Sequence, residues 1–208
     1  MNLKRGFFIT FDGPNGVGKS TILTSVSSNL RSKNLDVLLT KEPTDSEFGI
    51  FFRECEATIR GNSYACIAAA DRYYHIEKII KPGLKANKIV LSDRYVESSL
   101  VLQRMDEVDQ NFIWELNKQV ITPDLSIIFT TAPEILKQRL KLRDKLSFFE
   151  KSEASSEREL EYYLQASKFL KSKGYNILVL DNDSTTIEEN TGLICTKILD
   201  LIRRYGNN

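Results

Sequence analysis

Asp12-Gly13-Pro14-Asn15-Gly16-Val17-Gly18-Lys19-Ser20-Thr21 decides the reading of this chain. Within it the pattern Gly-x4-Gly-Lys-Ser is complete, from Gly13 to Ser20. The apolar run Phe7-Phe8-Ile9-Thr10-Phe11 precedes it, and a helix-like segment from Lys19 to about Arg31 follows. Strand, glycine loop and helix, in that order, are the context in which this pattern holds phosphate. Glycines let backbone N–H groups turn inward around a polyphosphate. The first turn of the helix adds unpaired donors and the positive end of its dipole. In such a loop the lysine, here Lys19, reaches the β- and γ-phosphates, and the Ser20 hydroxyl sits on Mg2+. Gly13, Asn15, Gly16, Val17, Gly18, Lys19, Ser20 and Thr21 are therefore expected to cradle a nucleoside triphosphate. The plainer reading, a glycine turn with an accidental lysine, leaves the flanking strand and helix unexplained.

A chain of 208 residues suffices for one domain with a full core. Its 27% charged and 41% hydrophobic residues are ordinary for a globular protein. A net charge of +1 gives no broad attraction to nucleic acid or to a membrane surface, so neither is an expected partner. The basic residues that matter should be local and aimed at a small anion. No apolar run approaches the roughly 18 residues of a membrane span, and the first residues lack the apolar core of a secretory signal. Cys55, Cys66 and Cys195 have no metal-ligand spacing. An odd number of widely separated cysteines suits buried or free thiols in a reducing compartment, and the cytoplasm is the expected location.

Beyond the loop, Ile22, Leu23, Val26 and Leu30 make a helical apolar stripe. Val37-Leu38-Leu39-Thr40 reads as a buried strand stopped by Pro43. Helices are expected over Phe48 to Arg60 and over Ala65 to about Lys85, with Pro82 and Gly83 marking a kink or an end. Ile89 to Asp93 is a third strand that closes on an acid. Helical patterns at Val96–Arg104 and Asp109–Val120, a strand at Leu125–Phe129 and a helix from Pro133 to about Arg143 follow. Residues 144–156 are polar and irregular, the signature of a small lid. A helix over Glu157–Lys171, a strand at Ile177–Leu180 and a helix capped by Thr186 with Glu189, running to about Arg203, complete the order. Apolar strands without strict alternation, separated by helices, imply an α/β fold: a P-loop NTPase with a five-stranded parallel sheet, helices on both faces and the small lid segment, all one domain. Ligands of such folds sit beyond the carboxyl ends of the strands, which places the glycine loop, Glu42, Asp93 and Arg94 on one rim.

The guanine signature Asn-Lys-x-Asp is missing, since Asn117-Lys118-Gln119-Val120 lacks the acid, and no Ser-Gly-Gly signature of transport ATPases occurs. A small-molecule kinase fits better. Asp93 ends a buried strand, where a carboxylate can hold Mg2+ or its water. Arg94 beside it can spread charge over several phosphoryl oxygens. The pair also reads as a simple ion pair at a strand end.

Asp93-Arg94-Tyr95-Val96-Glu97-Ser98-Ser99-Leu100 with Gln103 resembles the DRYxxSSxAYQG segment of the thymidylate kinase family. Lys41-Glu42-Pro43 with Gly49 and Arg53 is similar to that family's REPGG…LG…R segment. Ala69-Ala70-Asp71-Arg72-Tyr73-Tyr74-His75 and Ile80-Lys81-Pro82-Gly83-Leu84 resemble its FAADRxxH…IxPAL stretch, and Pro123-Asp124-Leu125 its PDL. The resemblance covers residues 7 to about 143. It implies transfer of the γ-phosphoryl of ATP to a deoxynucleoside monophosphate, dTMP first, with Mg2+ on Ser20 and Asp93, in a homodimer joined by helices away from the site. By that resemblance Arg53 and Arg94 hold the acceptor's phosphate, Arg72 bonds the base edge, and Glu42 and Ser99 line the acceptor pocket. Asp12, Pro43, Ser98 and Gln103 complete the expected substrate set, and Lys19, Asp93, Arg94 and Arg143 the catalytic one. The chemistry agrees, because a phosphate oxygen is an adequate nucleophile at neutral pH and needs alignment and charge neutralisation more than a base.

Several positions depart from the family pattern. Ala68 stands where a phenylalanine stacks on thymine, Leu102 replaces the tyrosine, Arg104 the glycine and Asn15 an acid of the loop. Ser147-Phe148-Phe149-Glu150 lacks the lid arginine, which leaves Arg139, Arg143 or Lys145 as replacements and Tyr73, Phe148 or Phe149 to refill the pocket. Two other readings stay open on the sequence. One is a kinase for a nucleoside hydroxyl or another small metabolite, with Glu42 as general base. The other is an ATP-binding regulator without transfer. His75, the only histidine, is expected to be structural or to support Arg72 from behind.

Overall fold

Phe7 to Phe11 has no polar alternation, and a strand apolar on both sides has to be covered on both sides. In the computed structural model, which describes residues 3–141 and 155–206, β1 (Phe7–Asp12) is buried at every position. It is the middle strand of a sheet ordered β2-β3-β1-β4-β5, with β2 (Val37–Lys41), β3 (Ile89–Asp93), β4 (Leu125–Thr130) and β5 (Ile177–Asp181) all parallel to it or to each other. The inner strands β3 and β4 are almost wholly buried, while the edges β2 and β5 are only partly covered. The expected five-stranded parallel α/β architecture is the one found.

Successive residues of β1 serve opposite layers. Phe7, Ile9 and Phe11 face α1 (Lys19–Ser32) and α9 (Ile187–Tyr205), packing with Val26, Leu30, Ile194 and Ile198. Phe8 faces the other layer, which includes α3 (Gly61–His75), α5 (Val96–Met105), α6 (Gln110–Asn117) and α8 (Ser155–Ser172). There it meets Tyr95 edge-on at 4.9 Å, among Leu100, Tyr163 and Ala166. Two short helices, α2 (Glu47–Cys55) and α4 (Lys81–Lys85), flank β2 and β3, and α7 (Pro133–Lys141) follows β4.

The strands end level. Phe11 and Lys41 both pair with Asp93, and the ladder runs one residue further, with Glu42 N–H donating to Asp93 O and Arg94 N–H to Phe11 O, both at 2.9 Å. Those two bonds fix the positions of Glu42 and Arg94 on the rim.

Several boundaries differ from the sequence pattern. α2 ends at Cys55 instead of Arg60, and α3 begins at Gly61 instead of Ala65. Gly61 takes φ 63, and its N–H donates to Asp106 Oδ2 at 2.6 Å; a helix started by a partner 45 residues away leaves no local signal. The segment expected as one helix to Lys85 widens at Ile76–Ile80 into a π-turn, where Lys81 N–H reaches Ile76 O, five residues back. Pro82, which cannot donate, comes directly after that turn. Asp109 is the cap of α6, accepting from the N–H groups of Asn111 and Phe112, and that helix stops at Asn117 rather than Val120. The Thr186–Glu189 capping box of α9 is present as expected. Of the lid segment 144–156, only Ser155 and Ser156 fall in the described residues, at the start of α8. Arg143, Lys145, Phe148 and Phe149 lie outside the described residues.

Candidate active site

The glycine loop closes over the end of β1. Gly13 adopts φ 139, and a Cβ there would stand 2.6 Å from the Phe129 carbonyl oxygen, so no other residue fits. Lys19 opens α1 and folds back, its Nζ donating to Gly13 O at 2.7 Å and Pro14 O at 2.9 Å. Burial, and after it the charge of Arg94, pull the Lys19 amine down to about 8, against the opposing pull of Asp93, Asp12 and Glu159. The Ser20 hydroxyl donates to Asp93 Oδ2 at 2.9 Å. The Asn182 amide, itself held by Asn190, donates to Val17 O and ties the loop to the start of α9. Arg139, on α7, donates to the same carbonyl at 3.3 Å. The mouth of the loop is a hollow lined among others by Asn15, Lys19, Ser20, Asp93 and Arg94.

Asp12, expected among the substrate ligands, lies behind this hollow and is fully buried. Its Oδ1 accepts from Gly13 N–H, Ser98 Oγ–H and Tyr163 O–H, and its Oδ2 from the N–H groups of Tyr95 and Ser98. It splints the glycine loop to the start of α5. Arg94, at φ 74, reaches forward from this splint. It donates to Ser98 Oγ at 2.9 Å, Tyr163 Oη at 3.3 Å and Asn15 Oδ1 at 2.5 Å. Burial opposes its charge, and Tyr163, Asp12 and Asp93 outweigh that and hold the guanidinium above its ordinary range.

A second cleft opens between α2, α3 and α5. Glu42, Pro43, Arg72, Ser98, Ser99 and Gln103 line it together, along with Ala68 and Leu102. Arg72 is 3% exposed, and every N–H of its guanidinium is engaged. Nε and Nη2 meet Glu42 Oε2, Nη1 donates to Ser99 Oγ and Asn117 Oδ1, and Nη2 also reaches Tyr95 O. Glu42 Oε1 takes His75 Nδ1 at 3.0 Å, and His75 Nε2 meets Thr40 Oγ1. His75 thus braces Arg72 through Glu42. Arg53, expected on the acceptor phosphate, does not line the cleft; it is half-exposed beside it, its Nη1 donating to Pro43 O at 3.1 Å and its Nη2 lying 3.6 Å from Asp45 Oδ1.

The two hollows share a wall made of Glu42 and Arg94. One holds the triphosphate motif, the other an apolar slot with arginine at its inner end. A sequence model of the thymidylate kinase family matches residues 11–192. The chain belongs to the thymidylate kinase family. It is 40% identical over 155 residues to a protein named probable thymidylate kinase from Pyrococcus horikoshii, covering 71% of this chain and 76% of that one. A protein of the same name from Thermococcus onnurineus is 35% identical over 188 residues, 85% of this chain and 92% of its own length. The thymidylate kinase of Caldicellulosiruptor saccharolyticus is 38% identical over 149 residues, 68% and 72% of the two chains.

Against the thymidylate kinase pattern, the departures have definite places. Ala68 and Leu102 are both in the wall of the second cleft. Asn15 carries no charge and accepts from Arg94. Arg104 donates to Gln165 at 2.7 Å and lies over the Tyr162 ring, so it ties α5 to α8 outside the cleft. Three site residues escaped the sequence reading. Phe52 lines the cleft from α2. Asp71 accepts from the N–H and hydroxyl of Thr44 and so anchors the loop that carries Pro43. Tyr163 reaches Asp12 from 151 residues away. The positions of Phe52 beside Arg53 and of Asp71 beside Arg72 were the signals in the sequence; Tyr163 had none.

Proposed function

We propose that this chain transfers the γ-phosphoryl group of ATP to the 5′-phosphate of dTMP, giving ADP and dTDP. The observation that carries this is Arg94, which stands on the wall shared by the two hollows and can neutralise both phosphate groups where they meet. An acceptor phosphate oxygen attacks the γ-phosphorus while the bond to the bridging oxygen of ADP breaks. The acceptor oxygen brings no proton that must be removed. On this reading Lys19 leaves the loop carbonyls for the β- and γ-phosphates, Arg94 steadies the moving group, and Arg53 holds the acceptor's phosphate. Arg139, reaching the loop from α7, supports the reading that it serves in place of the lid arginine, with Arg143 and Lys145 the other candidates.

Ser20 and Asp93 suit Mg2+. A hydroxyl and a carboxylate side by side are hard oxygen donors, and this ion takes few protein ligands and fills its shell with phosphate and water. Among the described residues no three acidic, histidine or cysteine side chains gather into an all-protein cage. When bound, the ion would offset negative charge on the phosphates. The nucleoside-hydroxyl alternative needs Glu42 as a base, and both oxygens of Glu42 are committed to Arg72 and His75.

Two coarser expectations belong with this reading. Phe48, Ile50 and Phe51 are exposed on α2, an apolar face that supports a homodimer, which light scattering would test. Cys55, Cys66 and Cys195 are unpaired thiols, in keeping with a reducing cytoplasm. The test of the activity is an ADP-release screen over all natural nucleoside monophosphates with ATP and Mg2+. dTMP should give the highest kcat/KM, and release with nucleosides but with no monophosphate would refute the proposal.

A further inference from the structure

The second cleft is apolar along its sides and polar at its end. Among the described residues that line it, Phe52 is the only aromatic. Its ring stacks on Tyr64, with centroids 4.3 Å apart and planes 13° from parallel, and Tyr64 is buried at 1% exposure. One face of Phe52 is therefore seated on a ring that cannot give way, while Phe52 itself is half-buried at the cleft. Ala68 and Leu102 supply the remaining apolar wall with no ring of their own. Gln103 lines the slot at 2% exposure, and its buried Oε1 has no partner among the described residues. A flat heterocycle with an in-plane N–H satisfies both demands. It covers an aromatic face and supplies a donor to an oxygen that would otherwise stay buried and unpaired.

We infer that Phe52 is the ring on which the acceptor's base stacks. The aromatic platform that the family pattern puts at position 68, on α3, is here delivered from α2. This rests on the reading of the second cleft as the nucleoside monophosphate site. It also joins two tasks on one helix, since Arg53, assigned to the acceptor phosphate, is the next residue. Ala68 is then not a loss of stacking but the space that a platform on the other helix requires.

The test is steady-state kinetics of Phe52→Leu and Phe52→Tyr with dTMP and ATP. Leucine keeps apolar packing against Tyr64 and removes the ring. It should raise the KM for dTMP about five- to tenfold, with kcat and the KM for ATP within about twofold of wild type. Tyrosine keeps the ring and should keep the KM. If Phe52→Leu does not fold, Phe52→Met carries the same expectation. An unchanged KM for dTMP in the leucine variant, or equal rises for dTMP and ATP, overturns the assignment of Phe52 alone. A wild-type chain that phosphorylates no nucleoside monophosphate overturns the reading beneath it.

Discussion

Arg72 and Glu42 meet at 2.8 Å with only 3% and 7% of their side chains exposed. Each charge costs several kcal/mol to bring out of water, and the pair survives because Ser99, Asn117, the Tyr95 carbonyl and His75 satisfy what is left over. The polar end of the cleft is therefore built before any ligand arrives. Such preorganisation lets binding free energy go to the acceptor instead of to ordering the site.

Removing one partner should be expensive. Glu42→Ala leaves a buried guanidinium without its counter-charge and should lower unfolding free energy by about 3–5 kcal/mol, read from urea denaturation. A loss under about 1 kcal/mol would mean that the pair is not buried as described.

Lys19 predicts a proton taken up with ATP. With the amine near 8 in the free protein, about half of it is deprotonated at pH 8 and about a tenth at pH 7. A polyphosphate favours the charged form, so binding should draw in roughly half a proton at pH 8 and much less at pH 7. Calorimetry in two buffers of different ionisation enthalpy measures this, and equal uptake at both pH values would count against the assignment. Lys19→Met should also lower kcat by about 10²–10³-fold, because its charge acts on the moving phosphoryl group.

Glu97 predicts an unusual pH profile of stability. It is fully buried on α5, and Thr10 donates to its Oε1 at 2.9 Å. Oε2 has no hydrogen bond of normal length, although Ser126 is near enough to ease its charge. Burial, then the Asp12 carboxylate, raise the group from 4.5 to about 7. The folded state thus holds the proton more tightly than the unfolded one between those values. This group's contribution is fully present below pH 4.5 and is lost as pH rises through about 7. Glu97→Gln, which keeps the shape without the charge, should gain on wild type across that window, by up to about 3 kcal/mol at pH 8. Urea midpoints at pH 5 and pH 8 test it, and a constant gap would refute the prediction.

Arg53 lines neither hollow; it is half-exposed, donates to the carbonyl of Pro43, a residue of the second cleft, and lies 3.6 Å from Asp45. Arg53→Ala should raise the KM for the monophosphate about tenfold or more and leave that for ATP within twofold. Equal effects on both substrates would remove Arg53 from the acceptor phosphate.

What the sequence made legible was what short-range pattern encodes. The runs Phe7–Phe11 and Ile89–Asp93 are mostly apolar and lack polar alternation, and their strands lie at the buried centre of the sheet. The glycine spacing around Lys19 announces its own backbone geometry. What stayed hidden depends on partners far along the chain. Nothing near Gly61 says that Asp106 will start its helix, and nothing in α8 says that Tyr163 will complete the shell of Asp12. Asp12 itself, beside the loop, read as a ligand because proximity in sequence cannot show which way a carboxylate faces. Phe52 shares a short apolar stretch with Phe48 and Phe51, which stay exposed, and its seat on Tyr64 in the cleft wall has no signature in the sequence.

On the proposed reading two nucleotides meet across the wall of Glu42 and Arg94. A crystal structure with adenosine and thymidine joined through five phosphates measures this most directly. The adenosine-side phosphates should lie in the loop of Gly13 to Thr21 with Lys19 upon them, the thymidine in the cleft against Phe52, and Arg94 on the phosphates between. A thymidine end lying outside that cleft, with its phosphate beyond the reach of Arg53 and Arg94, would contradict it.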